Sequence, residues 1–476
     1  MRFGEQLQQY IKESGSSVSK FAEKIAYNRA GIYSIFNGTR RMPREAFEKM
    51  IYSCEFNDMQ KNQLRELYLN EAYAPDVLER ILCIKEHLAQ MDKTPFVRVL
   101  PEFSPQAETQ SLSGSQAILS AIEFIFKDEL KCETPKISTN FSFTNKKLTD
   151  RIFNLVNGRH GQLDFRHIVR LGKNSEGADN LNTLLYALKF ARAGFKTDCI
   201  DCEQTRAGQD IMFPFFLISS RYALHFNPEE HIAIFNSSKT VIRSAQEMFT
   251  LLHAKTRPLV YFSENVLDMK VTLEDSMQMQ DLFAIADNPC VSMLMTPEII
   301  RRIAKEDIPY REMLISSFSH HCELLQKLNC TEILSQSGFF ELLNSGRVSE
   351  IPECLVKRFT QEEISALLKQ QLKLFENSKN NKTYLLNPNG FSLPHGFYIA
   401  LNGRYVLICS ENPLKEKSYV AELSINLTSG RIAADLKAFI DYLIECGFCY
   451  TDDQTHYFLQ DMVIQSEALE KKQTAK

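Results

Sequence analysis

The chain has 476 residues, of which 44% are hydrophobic and 24% are charged. This length corresponds to two to four domains of the usual ~100–200 residues, and the composition is typical of a globular protein. No run approaches the ~20 apolar residues of a transmembrane helix, and the first residues lack the apolar core of a secretory signal. These features exclude a helical membrane protein, and we expect a cytoplasmic one.

Charge is distributed unevenly along the chain. Residues 1–50 contain nine Lys or Arg and five Glu, which gives this segment a net charge of +4, whereas the whole chain carries −4. The remaining residues therefore carry −8. A basic segment followed by an acidic remainder is expected when one domain approaches phosphate groups.

Five short helices are predicted in the first seventy residues, because apolar side chains recur there with helical spacing. The first helix has one apolar face formed by Phe3, Leu7, Tyr10 and Ile11. Capping and stop residues predict the boundaries of the others. They are Ser17 before the second helix, Asn37–Gly38 after the third, Pro43 before the fourth and Asn57 before the fifth.

The second and third helices, joined by a tight turn at Ala26–Asn28, have the proportions of a helix-turn-helix. In such a unit the second of the two helices enters the major groove of DNA, and residues near its N-terminus contact base edges. Arg29 is suited to a bidentate contact with guanine, and the residues after the helix are suited to phosphate. The predicted DNA-binding residues are Ser17, Arg29, Ala30, Tyr33, Ser34, Asn37, Thr39, Arg40 and Arg41.

The stretch "FAEKIAYNRAGIYSIFNGTRRMP" resembles the helix-turn-helix of the Cro and phage-repressor (XRE) family, and the resemblance extends over residues 1–70. It implies a DNA-binding domain whose recognition helix spans residues 28–36. Three residues depart from the family pattern. Val18 stands in place of a common glutamine, Ala26 in place of a frequent glycine and Phe36 in place of a frequent acidic residue. A bundle used only for protein contacts is the structural alternative.

A further helix is predicted at residues 76–91, followed by a Pro-, Ser-, Gly- and Gln-rich segment at 101–116 that is typical of an exposed linker. Residues 1–72 are therefore predicted to form a helix-turn-helix domain, and 73–116 a helix and flexible linker. We call residues 1–72 the head and residues 117–476 the body.

The body contains a weak internal repeat, aligned at "RYAL" (221–224) and "RYVL" (404–407). Each copy predicts three antiparallel strands with tight turns at Ser219–Ser220 and Asn402–Gly403, followed by an amphipathic helix. We expect a multidomain protein, with an all-α head and an α+β body that has two similar three-strand-plus-helix units. The predicted parts of the body are α+β unit A (117–265), a mainly helical connector (266–378), α+β unit B (379–462) and a polar tail (463–476).

Two Cys-x-x-Cys pairs, Cys199/Cys202 and Cys446/Cys449, raise the possibility of metal or redox chemistry. In a strand, positions i and i+3 point to opposite faces, so Cys199 and Cys202 are poorly placed to chelate together. Cys446 is predicted at a helix C-terminus, where the dipole does not stabilise a thiolate. Buried cysteines are the favoured interpretation. No nucleotide-binding, hydrolase or zinc-protease motif occurs in the body, so neither an enzyme nor a cofactor is predicted.

These patterns favour a sequence-specific transcriptional regulator that binds double-stranded DNA as a homodimer. Its body would bind an unidentified small molecule or peptide effector, or serve in oligomerisation. Two alternatives remain at this point. The first is a peptide-sensing regulator built from helical hairpin repeats, although no ~34-residue helical period is visible. The second is a DNA-binding head fused to an enzymatic body.

Overall fold

The structure is a computed structural model, and it describes residues 2–172, 178–202, 214–227, 231–262, 281–347, 355–378, 380–411 and 422–474. Helices and strands are numbered along the chain within these ranges. The fold has an all-α head and an α+β body, as the sequence predicts, and the body contains two mixed sheets.

The head contains five helices at the predicted positions. They are α1 (Phe3–Glu13), α2 (Val18–Lys24), α3 (Arg29–Phe36), α4 (Arg44–Ser53) and α5 (Asp58–Ala72). Asn57 caps α5 as expected, because its side-chain oxygen accepts a hydrogen bond from Gln60 N and its backbone N–H donates one to Gln60 Oε1. The apolar faces meet around the stacked rings of Phe47 and Tyr68, whose centroids are 3.9 Å apart.

Helix α6 (Pro75–Ala89) follows the head and packs against the body. The segment predicted as an exposed linker, residues 101–116, differs from expectation. It contributes strand β1 (Thr109–Ser113), which pairs antiparallel with a strand of the body, and the first residues of the next helix. Its polar composition suits this position because only Leu112 of β1 is buried; β1 lies at the edge of its sheet.

The first sheet has the strand order β1-β7-β6-β5-β2-β3-β4-β8. Strands β2, β3 and β4 are parallel, and β5, β6 and β7 form an antiparallel meander beside β2. Its remaining strands are β2 (Lys136–Thr139), β3 (Asp164–Gly172), β4 (Thr197–Cys202), β5 (Phe215–Ile218), β6 (Ala223–Phe226), β7 (Ile232–Asn236) and β8 (Arg257–Pro258). Its helices are α7 (Ser115–Glu129), α8 (Lys146–Val156), α9 (Ala178–Arg192) and α10 (Lys239–His253).

The second sheet has the order β12-β11-β10-β13-β14-β15-β9. Its strands are β9 (Tyr261–Phe262), β10 (Asp281–Ala286), β11 (Asn329–Leu334), β12 (Asn381–Leu385), β13 (Phe397–Asn402), β14 (Tyr405–Glu411) and β15 (Glu422–Thr428). The helices of this half are α11 (Pro297–Ile303), α12 (Arg311–Leu325), α13 (Gln336–Ser345), α14 (Gln361–Asn377), α15 (Gly430–Glu445) and α16 (Asp452–Thr474).

The two sheets share one topology, which extends the repeat beyond the predicted meander and helix. In each sheet three parallel strands lie beside a three-strand antiparallel meander, a helix follows the meander, and a short preceding strand pairs with its outer edge. The registers agree, because Leu217 pairs with Leu224 in the first sheet and Ala400 pairs with Leu407 in the second. The second hairpin turn lies one residue later than expected, at Gly403–Arg404, since Asn402 pairs with Tyr405.

Two parts of the second half differ from the sequence-based expectation. The predicted helical connector supplies β10 and β11 to the second sheet. The predicted polar tail continues α16 to Thr474, and this helix packs along α14. Met462 and Ser466 are buried there, and Lys369 of α14 pairs with Glu467 at 2.8 Å, which explains why a polar sequence is ordered.

One apolar core runs from the head through α6 into both sheets. Helix α6 packs between α9 of the first half and α15 of the second. Among the described helices, none combines the length and the apolar character that crossing a lipid bilayer requires.

Candidate nucleic-acid interface

The turn between α2 and α3 is built by local hydrogen bonds. Ser17 begins α2 by accepting a hydrogen bond from Lys20 N at 3.2 Å, and Asn28 begins α3 by accepting one from Gly31 N at 2.6 Å. Between them Ala26 adopts a left-handed conformation with φ of 53°. Tyr27 N then donates to Ala22 O at 2.8 Å, which is the six-to-one bond of a Schellman motif.

The inner face of α3 fixes the orientation of the helix on the head. Ile32, Ile35 and Phe36 are buried, and Gly4 of α1 lies directly against α3. A Cβ atom at Gly4 would lie 2.0 Å from Ile35 O, so only glycine permits this approach of the two helices. The opposite face of α3 is consequently held outward.

The outward face of α3 carries the predicted base-contacting residues. Arg29, Ala30 and Tyr33 are exposed, and Ser34 is partly buried. The Arg29 guanidinium lies over the Tyr33 ring, 5.6 Å from its centroid, and Arg29 Nη2 is 3.4 Å from Tyr33 Oη. This contact is local and weak, so it leaves the guanidinium accessible. Ser34 Oγ donates to Ala30 O at 3.1 Å, so in this structure it bonds to its own helix.

Residues after α3 form a second exposed group beside that face. Asn37, Thr39, Arg40 and Arg41 are all exposed. Thr39 Oγ1 donates to Ser34 O at 3.0 Å, and Arg40 lies over the ring of Tyr27 at 5.8 Å.

Arg41 has a different environment from Arg40, because it lies 4.5 Å from the ring centroid of buried Tyr68. Its charge also acts on the body. Burial raises the pKa of Cys446 to about 12, and Arg41 partly opposes that rise. Arg41 therefore lies nearer the contact between head and body than the other predicted residues do.

One residue at this surface was missed by sequence reasoning. The Arg2 side chain lies against Gly38, where a Cβ atom would be 2.5 Å from Arg2 Nη1, and Arg2 also pairs with Glu5 at 2.8 Å. A further guanidinium thus lies beside the end of α3. No local pattern reveals this, because the contact joins residues 36 positions apart in the chain.

The head contacts the body through other surfaces. Tyr52 Oη of α4 donates to Gly447 O at 2.9 Å, and the Arg44 guanidinium lies 5.6 Å from the centroid of the Tyr384 ring of β12. Directly after the head, Tyr73 Oη is 3.2 Å from Glu445 Oε2. Within the described ranges, the hydrogen bonds and ring contacts of the predicted DNA-binding side chains are made to other head residues. The outward face of α3 is therefore exposed in the full chain.

The body contains one polar cluster that the sequence analysis did not predict, at the carboxyl ends of β10 and β11. Buried Asp287 accepts hydrogen bonds from Ser335 Oγ at 2.6 Å, Ser337 Oγ at 2.9 Å and Gly396 N at 3.0 Å, and His395 Nδ1 is 3.3 Å away. Burial by itself would raise the pKa of Asp287. The hydrogen bonds from these donors stabilise the carboxylate by more, so the net effect is a lowered pKa.

The same cluster joins the two halves of the body. His395 Nε2 is 3.1 Å from Glu411 Oε2, and Arg192 of α9 donates to Ser410 Oγ and to Glu411 O. Because parallel strands end side by side at this edge, Asp287 and Ser335 meet although 48 residues separate them. The sequence-based prediction of a mainly helical connector at residues 266–378 left out β10 and β11, and therefore also the side chains that meet at their ends. Within the described ranges, no set of three or more His, Cys, Asp or Glu side chains is arranged to hold a metal ion.

The cysteine pairs agree with the buried-cysteine interpretation where they are described. Cys199 on β4 and Cys446 and Cys449 after α15 are buried. Burial raises the pKa of both Cys446 and Cys449, so neither is a reactive thiolate at neutral pH. The Cys202 side chain lies outside the described residues.

Comparison with known proteins identifies no family. No family model and no curated protein matches the sequence. Among solved structures, one match is to "Structure of TrmBL2, an archaeal chromatin protein, shows a novel mode of DNA binding", at 12% identity, over 48% of this chain and 83% of that chain. The TM-score of 0.24 is too low to establish a shared fold.

Proposed function

We propose that the protein is a sequence-selective DNA-binding transcriptional regulator, whose head reads the major groove through α3 and whose body senses an effector or mediates oligomerisation. One observation carries the proposal. Arg29 and Ala30 in the first turn of a capped, packed helix, and Tyr33 one turn later, are exposed among the described residues, in the second helix of a helix-turn-helix. That is the arrangement by which such units contact base edges.

Charge supports the same proposal. Arg40 lies beside α3 on the exposed surface, and Arg2 lies against Gly38 at the end of the helix. Guanidinium groups at the edge of a recognition helix can contact phosphates of both strands and so fix its register on DNA. The resemblance to the Cro and phage-repressor (XRE) helix-turn-helix belongs to this proposal, as do a regulator of bacterial type and a cytoplasmic location.

A single α3 would contact only a few base pairs, so we propose that two copies bind an operator with two half-sites one DNA turn apart. The body is assigned no catalytic step. Four donors already bind the carboxylate of Asp287 at the polar cluster. We therefore assign the cluster a structural role, in which it holds together the segments that follow β10 and β11 and precede β13. The helical-repeat alternative is inconsistent with the two mixed sheets.

The proposal is tested by selecting from random double-stranded DNA with the full-length protein. We expect an enriched inverted repeat, bound with a dissociation constant that rises steeply with salt because phosphate contacts release counterions. A control protein carrying Lys131→Ala, a substitution of an exposed lysine in the body, should enrich the same sequence. Failure of the wild-type protein to enrich any sequence, with salt-dependent binding also absent, would reject DNA binding.

A further inference from the structure

An apolar stripe is exposed along α10, the helix that follows the first meander. Its apolar residues are Val241, Met248 and Leu251, and Ser244 lies between them at the same helical spacing on one side of the helix. Met248 is 49% exposed and Leu251 is 71% exposed. The adjoining side of α10 is already used, since Ile242, Ala245 and Phe249 pack on the sheet. We call the exposed set the α10 stripe.

The internal duplication identifies the matching positions on α15. Phe226 pairs with Ala233 in the first sheet, and the equivalent Cys409 pairs with Ser424 in the second. Counting forward from Ala233 and Ser424 by the same number of residues reaches Ser238 and Ser429, which are the N-caps of α10 and α15. The two helices therefore align without a gap.

In this alignment the α10 stripe corresponds to Ile432, Asp435, Phe439 and Tyr442 of α15, and all four are buried. The segment that begins at Tyr73 and continues through α6 packs against this face at Asp435 and Tyr442. Arg80 Nε is 2.7 Å from Asp435, and the rings of Tyr73 and Tyr442 meet edge to face with centroids 6.4 Å apart. In the second unit this face is thus a helix-packing surface, whereas its counterpart in the first unit is exposed.

We propose that the α10 stripe packs against the same stripe of a second copy of this chain, as an antiparallel helix pair about a twofold axis near Ser244–Met248. Charge supports this occupant. Arg243 and Glu247 flank the stripe on one side, are 83% and 65% exposed, and pair with each other at 3.1 Å within the helix. An antiparallel pair places Arg243 of one copy beside Glu247 of the other, twice, by symmetry. The choice of a second copy also rests on the proposed function, since two half-sites require two heads.

The size of the surface sets the expected strength. One helix pair lies at the low end of the ~1,200–2,000 Å² buried by stable interfaces. We therefore expect dimerisation in the micromolar range, strengthened when both heads occupy one DNA molecule.

The test is analytical ultracentrifugation of the full-length protein at concentrations on the order of 1 μM, which measures the monomer–dimer equilibrium. Wild-type protein is expected to dimerise, and Met248→Glu or Leu251→Glu is expected to raise the dimer dissociation constant by about tenfold or more, because each places a charge in the stripe. Thr250→Glu is the matched control, since it adds the same charge on the same helix outside the stripe. Because all three positions are exposed, the variants are expected to fold, which circular dichroism checks.

A charge exchange adds a second readout. Arg243→Glu alone should weaken the dimer, and Arg243→Glu combined with Glu247→Arg should restore it. A monomeric wild-type protein, or stripe variants that dimerise as well as wild type, would overturn the proposal. A wild-type monomer is also the result expected if another protein occupies the stripe.

DNA binding separates the proposed dimer interface from the proposed function. Wild-type protein that dimerises through the stripe yet binds no DNA contradicts the proposed function alone, whereas Met248→Glu protein that no longer dimerises but still binds a half-site supports both.

Discussion

Arg80 and Asp435 form a buried ion pair between α6 and α15, with Arg80 Nε 2.7 Å from Asp435 Oδ1. The two side chains are only 12% and 6% exposed. Arg80 has a second partner in Asp76, at 3.1 Å, whereas Asp435 Oδ2 has no hydrogen-bond partner among the described residues. The pair links the helix that follows the head to the second half of the body.

Breaking this pair from one side is predicted to be costly. Arg80→Met leaves a buried carboxylate without a cation and is expected to lower the free energy of unfolding by about 3–5 kcal/mol. Asp435→Asn should cost less, because Arg80 retains Asp76. Urea denaturation of both variants measures the difference, and the double variant Arg80→Met with Asp435→Leu should recover most of the loss. Equal losses in both single variants would contradict the asymmetry.

Ala26 offers a test of backbone strain in the helix-turn-helix. A residue with a Cβ atom at φ of 53° is strained by about 1–2 kcal/mol, which exceeds the entropy cost of glycine. Ala26→Gly is therefore predicted to stabilise the head by on the order of 0.5–1 kcal/mol. Ala434→Gly, at an exposed position within α15, is the control and should destabilise by about 1 kcal/mol. Thermal denaturation compares the two, and a destabilised Ala26→Gly protein would contradict the assignment.

Buried histidines predict how stability depends on pH. Burial lowers the pKa of both His87 and His167 to about 4, and Nδ1 of His167 has no hydrogen-bond partner among the described residues. In the unfolded chain these imidazoles titrate near 6.5, so below that pH the unfolded state binds more protons than the folded state. Stability is therefore complete above about pH 6.5 and is lost as the pH falls towards 4.

The magnitude can be checked with one substitution. Each histidine should cost about 2 kcal/mol between pH 7.5 and pH 5. His167→Phe keeps an aromatic ring beside Phe141, whose centroid is 4.4 Å from that of His167, but removes the titrating group. Urea denaturation at both pH values should show a smaller loss for this variant than for wild type. An unchanged loss would show that His167 does not contribute.

Local sequence signals predicted the head well because its boundaries are set by side chains that act within one turn. Ser17, Asn28 and Asn57 each cap the helix they precede. The repeat was also visible, because a strand, a tight turn and a second strand leave a periodic pattern. What the sequence did not reveal depends on distant partners. Strand β10 is apolar after Asp281, and its parallel partner β11 begins 48 residues later, so the joint at Asp287 could not be predicted from spacing.

Two predicted DNA-binding residues that look alike in the sequence have different surroundings in the fold. Arg40 and Arg41 are adjacent in sequence, yet Arg40 lies on Tyr27 at the exposed surface and Arg41 lies on buried Tyr68 near the body. Arg40→Ala is therefore predicted to weaken binding to every DNA sequence by a similar factor and to reduce the salt dependence, whereas Arg41→Ala should also lower stability. Fluorescence anisotropy at several salt concentrations, with parallel thermal denaturation, separates the two effects.

The role of α3 in reading DNA is tested most directly by the ratio of dissociation constants for the selected operator and a scrambled sequence, measured for wild type and for Arg29→Lys. Lysine keeps the charge but loses the bidentate geometry that guanine recognition requires. The account predicts that the variant retains the salt dependence of wild-type binding while its specificity ratio falls by about tenfold or more, which corresponds to about 1–3 kcal/mol. A specificity ratio equal to that of wild type would contradict the assignment of α3 as the recognition helix.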